Sequence, residues 1–206
     1  MSRAAPQLRV ISGGSEEPTD DGLVRAFLSG DPGAFGELIG RHQEAVFRVA
    51  RRFTHTSEDA RDLSQRVFLQ AFEAAERTLQ RLEAQAIPFR AWLLRIALNL
   101  GMNQQRDSAK WRHTASLSSL EREQGAPTAA EALQRAQEQA LTRRAVLELP
   151  ERQREVFLLR IDGGLSFGDV AQTLEISEGN ARSHFHHALR RLKAEVAKLS
   201  TPGGAS

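Results

Sequence analysis

Asn180, Arg182, Ser183, His184, His186 and His187 crowd into the first turns of what reads as the last helix of the chain. Arg and Asn carry paired polar atoms that match base edges, while Ser and His can reach bases or phosphates. A second group, Arg95, Asn99, Asn103 and Arg106, recurs at three- and four-residue spacing and so shares one helix side. These residue types suit a surface that grips nucleic acid. No nucleophile–base pair and no phosphate loop stands out. The three histidines do not read as a metal site. His184 and His186 point in different directions, and His184 with His187 supplies only two ligands without a carboxylate nearby. Neither a metal nor a cofactor is expected.

Elements must hold these side chains outward. Ser166 caps a short helix and Asp169 sits three positions on, an Asp version of the capping box. Ser177 caps the last helix, over 178–199. Two helices at 166–174 and 178–199, about three residues apart, match helix-turn-helix spacing. That geometry exposes the start of the second helix to the major groove. Ala181, Phe185, Ala188, Leu189, Leu192, Val196 and Leu199 form its apolar stripe. Before it, Pro150 starts a helix with Val156, Phe157 and Ile161 inward, and Gly163-Gly164 ends it.

The N-terminal half reads as four helices. Asp20 or Asp21 caps the first, and Asp31-Pro32 opens the second. Ser57 opens the third, whose stripe is Leu63, Val67, Ala71 and Ala75 with Phe68 and Phe72 beside it. The stretch 78–88 breaks that pattern. A fourth helix begins at Pro88, with Phe89, Trp92, Leu93, Ile96, Ala97 and Leu100 along one side. The expected architecture is all-α: two small helical domains, 20–112 and 141–199, joined by a flexible linker at 113–140. Residues 1–19, rich in Gly, Ser, Pro and Glu, read as a disordered leader, and 200–206 as a disordered tail.

The formal net charge of the 206 residues is only +2, but its distribution is uneven. Residues 89–113 carry Arg90, Arg95, Arg106, Lys110 and Arg112 against Asp107. Residues 179–199 carry Arg182, Arg190, Arg191, Lys193 and Lys198 against Glu195. Two basic segments can neutralise phosphates while the rest of the chain balances them. The linker is locally acidic. There is no cysteine, so disulfides and Cys-ligated zinc are excluded. No apolar run has spanning length, and the N-terminus lacks a secretory h-region. The expected location is the cytoplasm.

The stretch LPERQREVFLLRIDGGLSFGDVAQTLEISEGNARSHFHHALRRLK resembles domain four of extracytoplasmic-function (ECF) sigma factors. AFGELIGRHQEAVFRVARRFTHTSEDARDLSQRVFLQAF, followed by PFRAWLLRIALNL, resembles their domain two. Together these cover about 23–107 and 141–197. The resemblance implies a non-enzymatic subunit that brings core RNA polymerase to promoters, melts DNA and is restrained by an anti-sigma factor. It implies that Asp62, Leu63 and Gln65 meet the clamp helices of the polymerase β′ subunit, with further contacts to the β subunit. It places Trp92, Arg95, Asn99, Asn103 and Arg106 on the −10 element, and loop 78–88 on an unpaired base. Arg160, Arg182, Ser183, His186 and His187 fall on positions that read the −35 element, beside Asn180. Arg61 and Arg66 depart from the family pattern, which has acids there. The chain has no tyrosine, loop 78–88 has no glycine, and His186 and His187 replace the usual aromatic or arginine. A stand-alone DNA-binding regulator and a helical adaptor that binds polymerase stay open as alternatives.

Overall fold

A computed structural model describes residues 18–84, 87–112 and 140–200. The expected leader up to residue 17, the linker up to 139, and the tail beyond 200 lie outside the described residues. The regular elements described are helices: α1 (Asp20–Leu28), α2 (Pro32–Phe53), α3 (Ser57–Ala84), α4 (Phe89–Arg112), α5 (140–147), α6 (Glu151–Ile161), α7 (Phe167–Leu174) and α8 (Glu178–Ser200).

Caps explain most of the boundaries. Thr19, not Asp20 or Asp21, caps α1: its hydroxyl accepts from the Gly22 N–H at 3.2 Å. The two aspartates instead occupy the first turn, where negative charge meets the positive helix end. Asp31 accepts from the Gly33 N–H at 2.9 Å, with Pro32 at the first position of α2. One residue before Ser57, Thr56 forms a reciprocal box with Asp59, at 3.0 and 3.3 Å. α3 then runs through the expected break at 78 to Ala84, because Leu79 is fully buried and the following Gln, Arg, Leu, Glu and Ala are good helix formers. Of the loop 78–88, only Ile87 and Pro88 are described outside a helix.

α1–α4 form the first bundle, with α2 packed on the other three. Leu38, Val46 and Val49 of α2 meet Leu63, Val67, Ala71 and Ala75 of α3 and Leu93, Leu94 and Ala97 of α4 in one buried core. Gly101 lets α2 and α4 approach closely: a Cβ there would stand 2.2 Å from Phe53 Cδ2. α6–α8 form the second bundle, with Val146 of α5 also buried. Val156 and Phe157 are inward as expected, but Ile161 is 50% exposed. It lies two residues past buried Leu159, about 200° around the helix, and Leu165 takes the core place beyond the turn. That turn uses Gly164 at a φ of 67°. The two bundles are in contact, α4 packing on α6 and α7.

Candidate nucleic-acid interface

α7 and α8 are set by their caps. The Asp169 N–H donates to Ser166 Oγ at 3.1 Å, and the Ser166 N–H to Asp169 Oδ2 at 3.2 Å. Glu175 ends α7 in the left-handed region at a φ of 56°, and Ser177 Oγ then accepts from the Asn180 N–H at 3.1 Å. The turn orients α8 so that Ala181 and Ala188 are buried, while Asn180, Arg182, Ser183, His186 and His187 are exposed. Those five share the outward side and form one polar surface.

Arg160 comes from α6, yet it joins this surface. Its guanidinium carbon lies 5.0 Å from the Phe167 ring centroid, and that of Arg182 lies 4.7 Å from the same ring. Two cations thus share one aromatic ring, each attracted to its quadrupole. Arg160 Nη1 also donates to the Leu165 carbonyl at 2.7 Å, and Arg182 pairs with Glu178 one turn back. Phe167 was not among the residues expected from sequence; its one signal is an aromatic side chain directly after the cap.

α4 has the same two-sided build. Leu93, Leu94, Ala97 and Leu98 are buried, and Arg95, Asn99, Asn103 and Arg106 are exposed. Trp92 is half-buried, its ring edge-on to Phe89 at 5.5 Å. Arg95 is exposed but engaged: it donates to the Thr173 carbonyl of α7 and lies 3.4 Å from Glu175 Oε1.

On α3, Asp62 and Gln65 are exposed and Leu63 is fully buried. Leu63 therefore supports the helix from beneath and offers nothing to a partner. The outward row continues instead as Leu69, 60% exposed, and Phe72, 53% exposed. Asp62, Gln65, Leu69 and Phe72 follow at helical spacing and make one stripe, polar at one end and apolar at the other. Phe72 also touches Phe35 edge-on at 5.4 Å. Arg66, one of the departures from the pattern the resemblance carries, donates to Gln104 and so ties α3 to α4. Arg61 is exposed beside it.

Comparisons with known proteins cover both bundles. Residues 38–112 match Sigma-70 region 2, and residues 139–192 match Sigma-70, region 4. Over 189 residues the chain is 33% identical to the ECF RNA polymerase sigma factor SigM of Mycobacterium tuberculosis, covering 92% of this chain and 90% of that one. The chain belongs to the ECF sigma factors. It is 28% identical over 193 residues to the ECF RNA polymerase sigma-E factor of Escherichia coli, covering 90% of this chain and 98% of that one. A solved structure of CnrH in complex with the cytosolic domain of CnrY superimposes with a TM-score of 0.60 at 28% identity, over 87% of this chain and 97% of that one. As a sigma factor, the chain binds core RNA polymerase and promoter DNA and acts in transcription initiation. Among the described residues no helix is long and apolar enough to cross a membrane, and no three His, Cys, Asp or Glu side chains converge as a metal site.

Proposed function

We propose that this sigma factor grips promoters with the two polar faces and polymerase with the α3 stripe. The α4 face, Arg95, Asn99, Asn103 and Arg106 with Trp92 at its edge, holds the −10 element and its opened strand through cations and stacking. The α8 face, Asn180, Arg182, Ser183, His186 and His187 with Arg160, reads the −35 element in the major groove. Asp62 and Gln65 meet the β′ clamp helices, joined by Leu69 and Phe72 in place of buried Leu63. The chain works without catalysing a reaction, in the cytoplasm, and an anti-sigma protein restrains it. The seating of CnrH with the cytosolic domain of CnrY supports such a partner.

One observation carries the reading: each bundle presents an exposed polar helix face backed by a buried apolar one. The test mixes purified chain, core polymerase and a library of promoter fragments, and counts specific starts. Specific initiation is the expected result. Binding to core without initiation would leave an adaptor, and DNA binding without affinity for core would leave a stand-alone regulator.

A further inference from the structure

Arg182, His186 and Arg190 recur at four-residue spacing along α8, and so do Ser183, His187 and Arg191; all six are exposed. Side chains four apart on a helix stand one above the other. Each row therefore sets an imidazole between a fixed polar group and a permanent cation. The His186 ring is braced by its neighbours. It lies edge-on to Phe185 at 6.4 Å, and Phe185 stacks on Phe157 at 6.2 Å and meets Phe167 edge-on at 5.5 Å. Phe167 is the ring that holds Arg160 and Arg182. One aromatic cluster thus underlies two fixed charges and one adjustable charge.

Imidazole is the side chain that gains or loses its charge between about pH 5 and 8. Where that charge is used depends on what stands ready to pair with it. The acids of the surrounding helices are already engaged or distant. On α8, Glu178 pairs with Arg182, and Glu195 lies more than two turns beyond His187. On α7, Asp169 is taken by the Ser166 cap, and Glu175 lies 3.4 Å from Arg95. On α6, Glu155 accepts from Arg152 at 3.0 Å, and Glu151 stands in the first turn, at the opposite end from Arg160. Arg154 of α6 donates away from this face, to the Leu147 carbonyl. The cations on the face are Arg160 and Arg182 at one end and Arg190, Arg191 and Lys193 farther along. Half-buried His184 sits on the flank. Among the described residues, neither His186 nor His187 has a carboxylate partner, so a proton on either ring is left for an anion from outside.

Resting on the reading of this face as the −35 contact, we propose that promoter recognition is proton-linked: His186 and His187 take up protons as α8 enters the groove, so promoter affinity rises as pH falls. A charged imidazole donates from both ring nitrogens, whereas a neutral one donates from one and accepts at the other. The charged form therefore suits phosphate oxygens and the guanine edge, whose N7 and O6 only accept. Each imidazolium that meets a phosphate also releases a counterion, so salt sensitivity steepens together with proton uptake. The sign follows from the partner, because a nearby anion favours the charged form. The gain is present while the bound imidazoles hold their protons, and it is lost as pH rises and they release them. Arg182 and Arg190 stay charged throughout, so protonation grades the affinity without abolishing it.

The test uses the full chain with core polymerase. Two probes are compared: the promoter duplex that initiates best from the fragment library, and the same duplex cut short of its −35 element. Affinities are measured from about pH 6 to 8 at fixed ionic strength. Titration of the polymerase itself moves both probes, so the ratio of the two affinities isolates α8. In the wild type this ratio is expected to fall about tenfold across the range. His186→Gln with His187→Gln is expected to hold it flat near the wild-type value at the alkaline end. His186→Arg with His187→Arg keeps the charge and is expected to hold it flat and high. The salt slope of the wild type is expected to be steeper by about 1–2 at the acid end, and that of the Gln variant to stay constant. A flat ratio in the wild type overturns the linkage. A pH-dependent ratio that survives in the Gln variant, or disappears with His184→Gln alone, overturns its assignment to His186 and His187. A Gln variant weakened by the same factor at every pH overturns the linkage while the −35 reading stands. If both the Gln variant and Arg182→Ala match the wild type throughout, the −35 reading itself falls.

Discussion

Arg182 and Arg160 show what a single side chain can be asked to do at the surface proposed to read the −35 element. Arg182→Ala removes a groove-facing fork and is expected to weaken binding to a cognate −35 duplex by about 1–3 kcal/mol, read by titration of the polymerase complex. Phe167→Leu leaves both guanidiniums present but takes away the ring that aligns them. Each cation–ring contact is worth about 0.5–1 kcal/mol at an exposed site, so this change should cost less than Arg182→Ala, with Phe167→Tyr close to wild type. If Phe167→Leu equals wild type in a chain of unchanged helicity, the ring positions nothing. The residue types of this surface were legible because Arg, Asn, Ser and His at the start of a capped helix suit base edges. The convergence of Arg160 and Arg182 on one ring was not, since it depends on how α6 crosses α8. Leu63 is the opposite case. It belongs both to the polymerase motif and to the apolar stripe, and burial follows the stripe. Leu63→Ala should therefore lower folding stability by about 2–5 kcal/mol, measured by denaturant titration, by removing core volume rather than a partner contact.

At the scale of elements, helix existence followed from periodicity, and boundaries followed from caps. The misplaced ends have local causes. Thr19 stands beside two aspartates that are equally competent caps, and only the backbone conformation selects the hydroxyl. The break at 78 was read from a weakened stripe, yet one buried Leu79 and strong helix formers carry α3 onward to Ala84. Ile161 looked inward because it is apolar, whereas its angle around α6 turns it out. How closely two helices approach is the least legible property of all. Gly101 gives no capping or turn signal in sequence, but it sits where the Phe53 ring fills the crossing of α2 and α4. Gly101→Ala gains helix propensity of roughly 1 kcal/mol and forces a clash with that ring. Overpacking costs about 1–3 kcal/mol, and a ring carbon 2.2 Å from the new methyl places this case toward the upper end. The expected outcome is a lower melting temperature, partly recovered by adding Phe53→Leu. A melting temperature raised by Gly101→Ala alone would mean that the helices slide apart freely.

For the whole molecule, sequence supports two bundles on a linker, and nothing in it marks the seam between them. Arg52 and Asp162 each look like ordinary surface charges, one in the last turn of a helix and one before a glycine turn. Their pairing exists only once both bundles are folded and docked. This has a thermodynamic consequence. Two independent bundles would unfold in two steps, whereas docked bundles that share a buried ion pair and the Leu94–Gly163 contact unfold together if the seam exceeds the difference in their own stabilities. Breaking a buried pair from one side costs about 3–5 kcal/mol, because the remaining charge stays uncompensated unless the site opens. The Arg52 side chain is already 25% exposed in the docked form, so its penalty falls toward the lower end; opening removes the remainder and uncouples the bundles in the same step. Calorimetry of the free chain should therefore show one transition in the wild type and two in Asp162→Ala. The charge exchange Arg52→Asp with Asp162→Arg should recover the single transition. Two transitions in the wild type would show that the bundles touch without sharing stability. One unchanged transition in Asp162→Ala would show that the apolar packing of α4 on the α6–α7 turn, together with hydrogen bonds such as that from Arg95 to the Thr173 carbonyl, holds the seam without the ion pair.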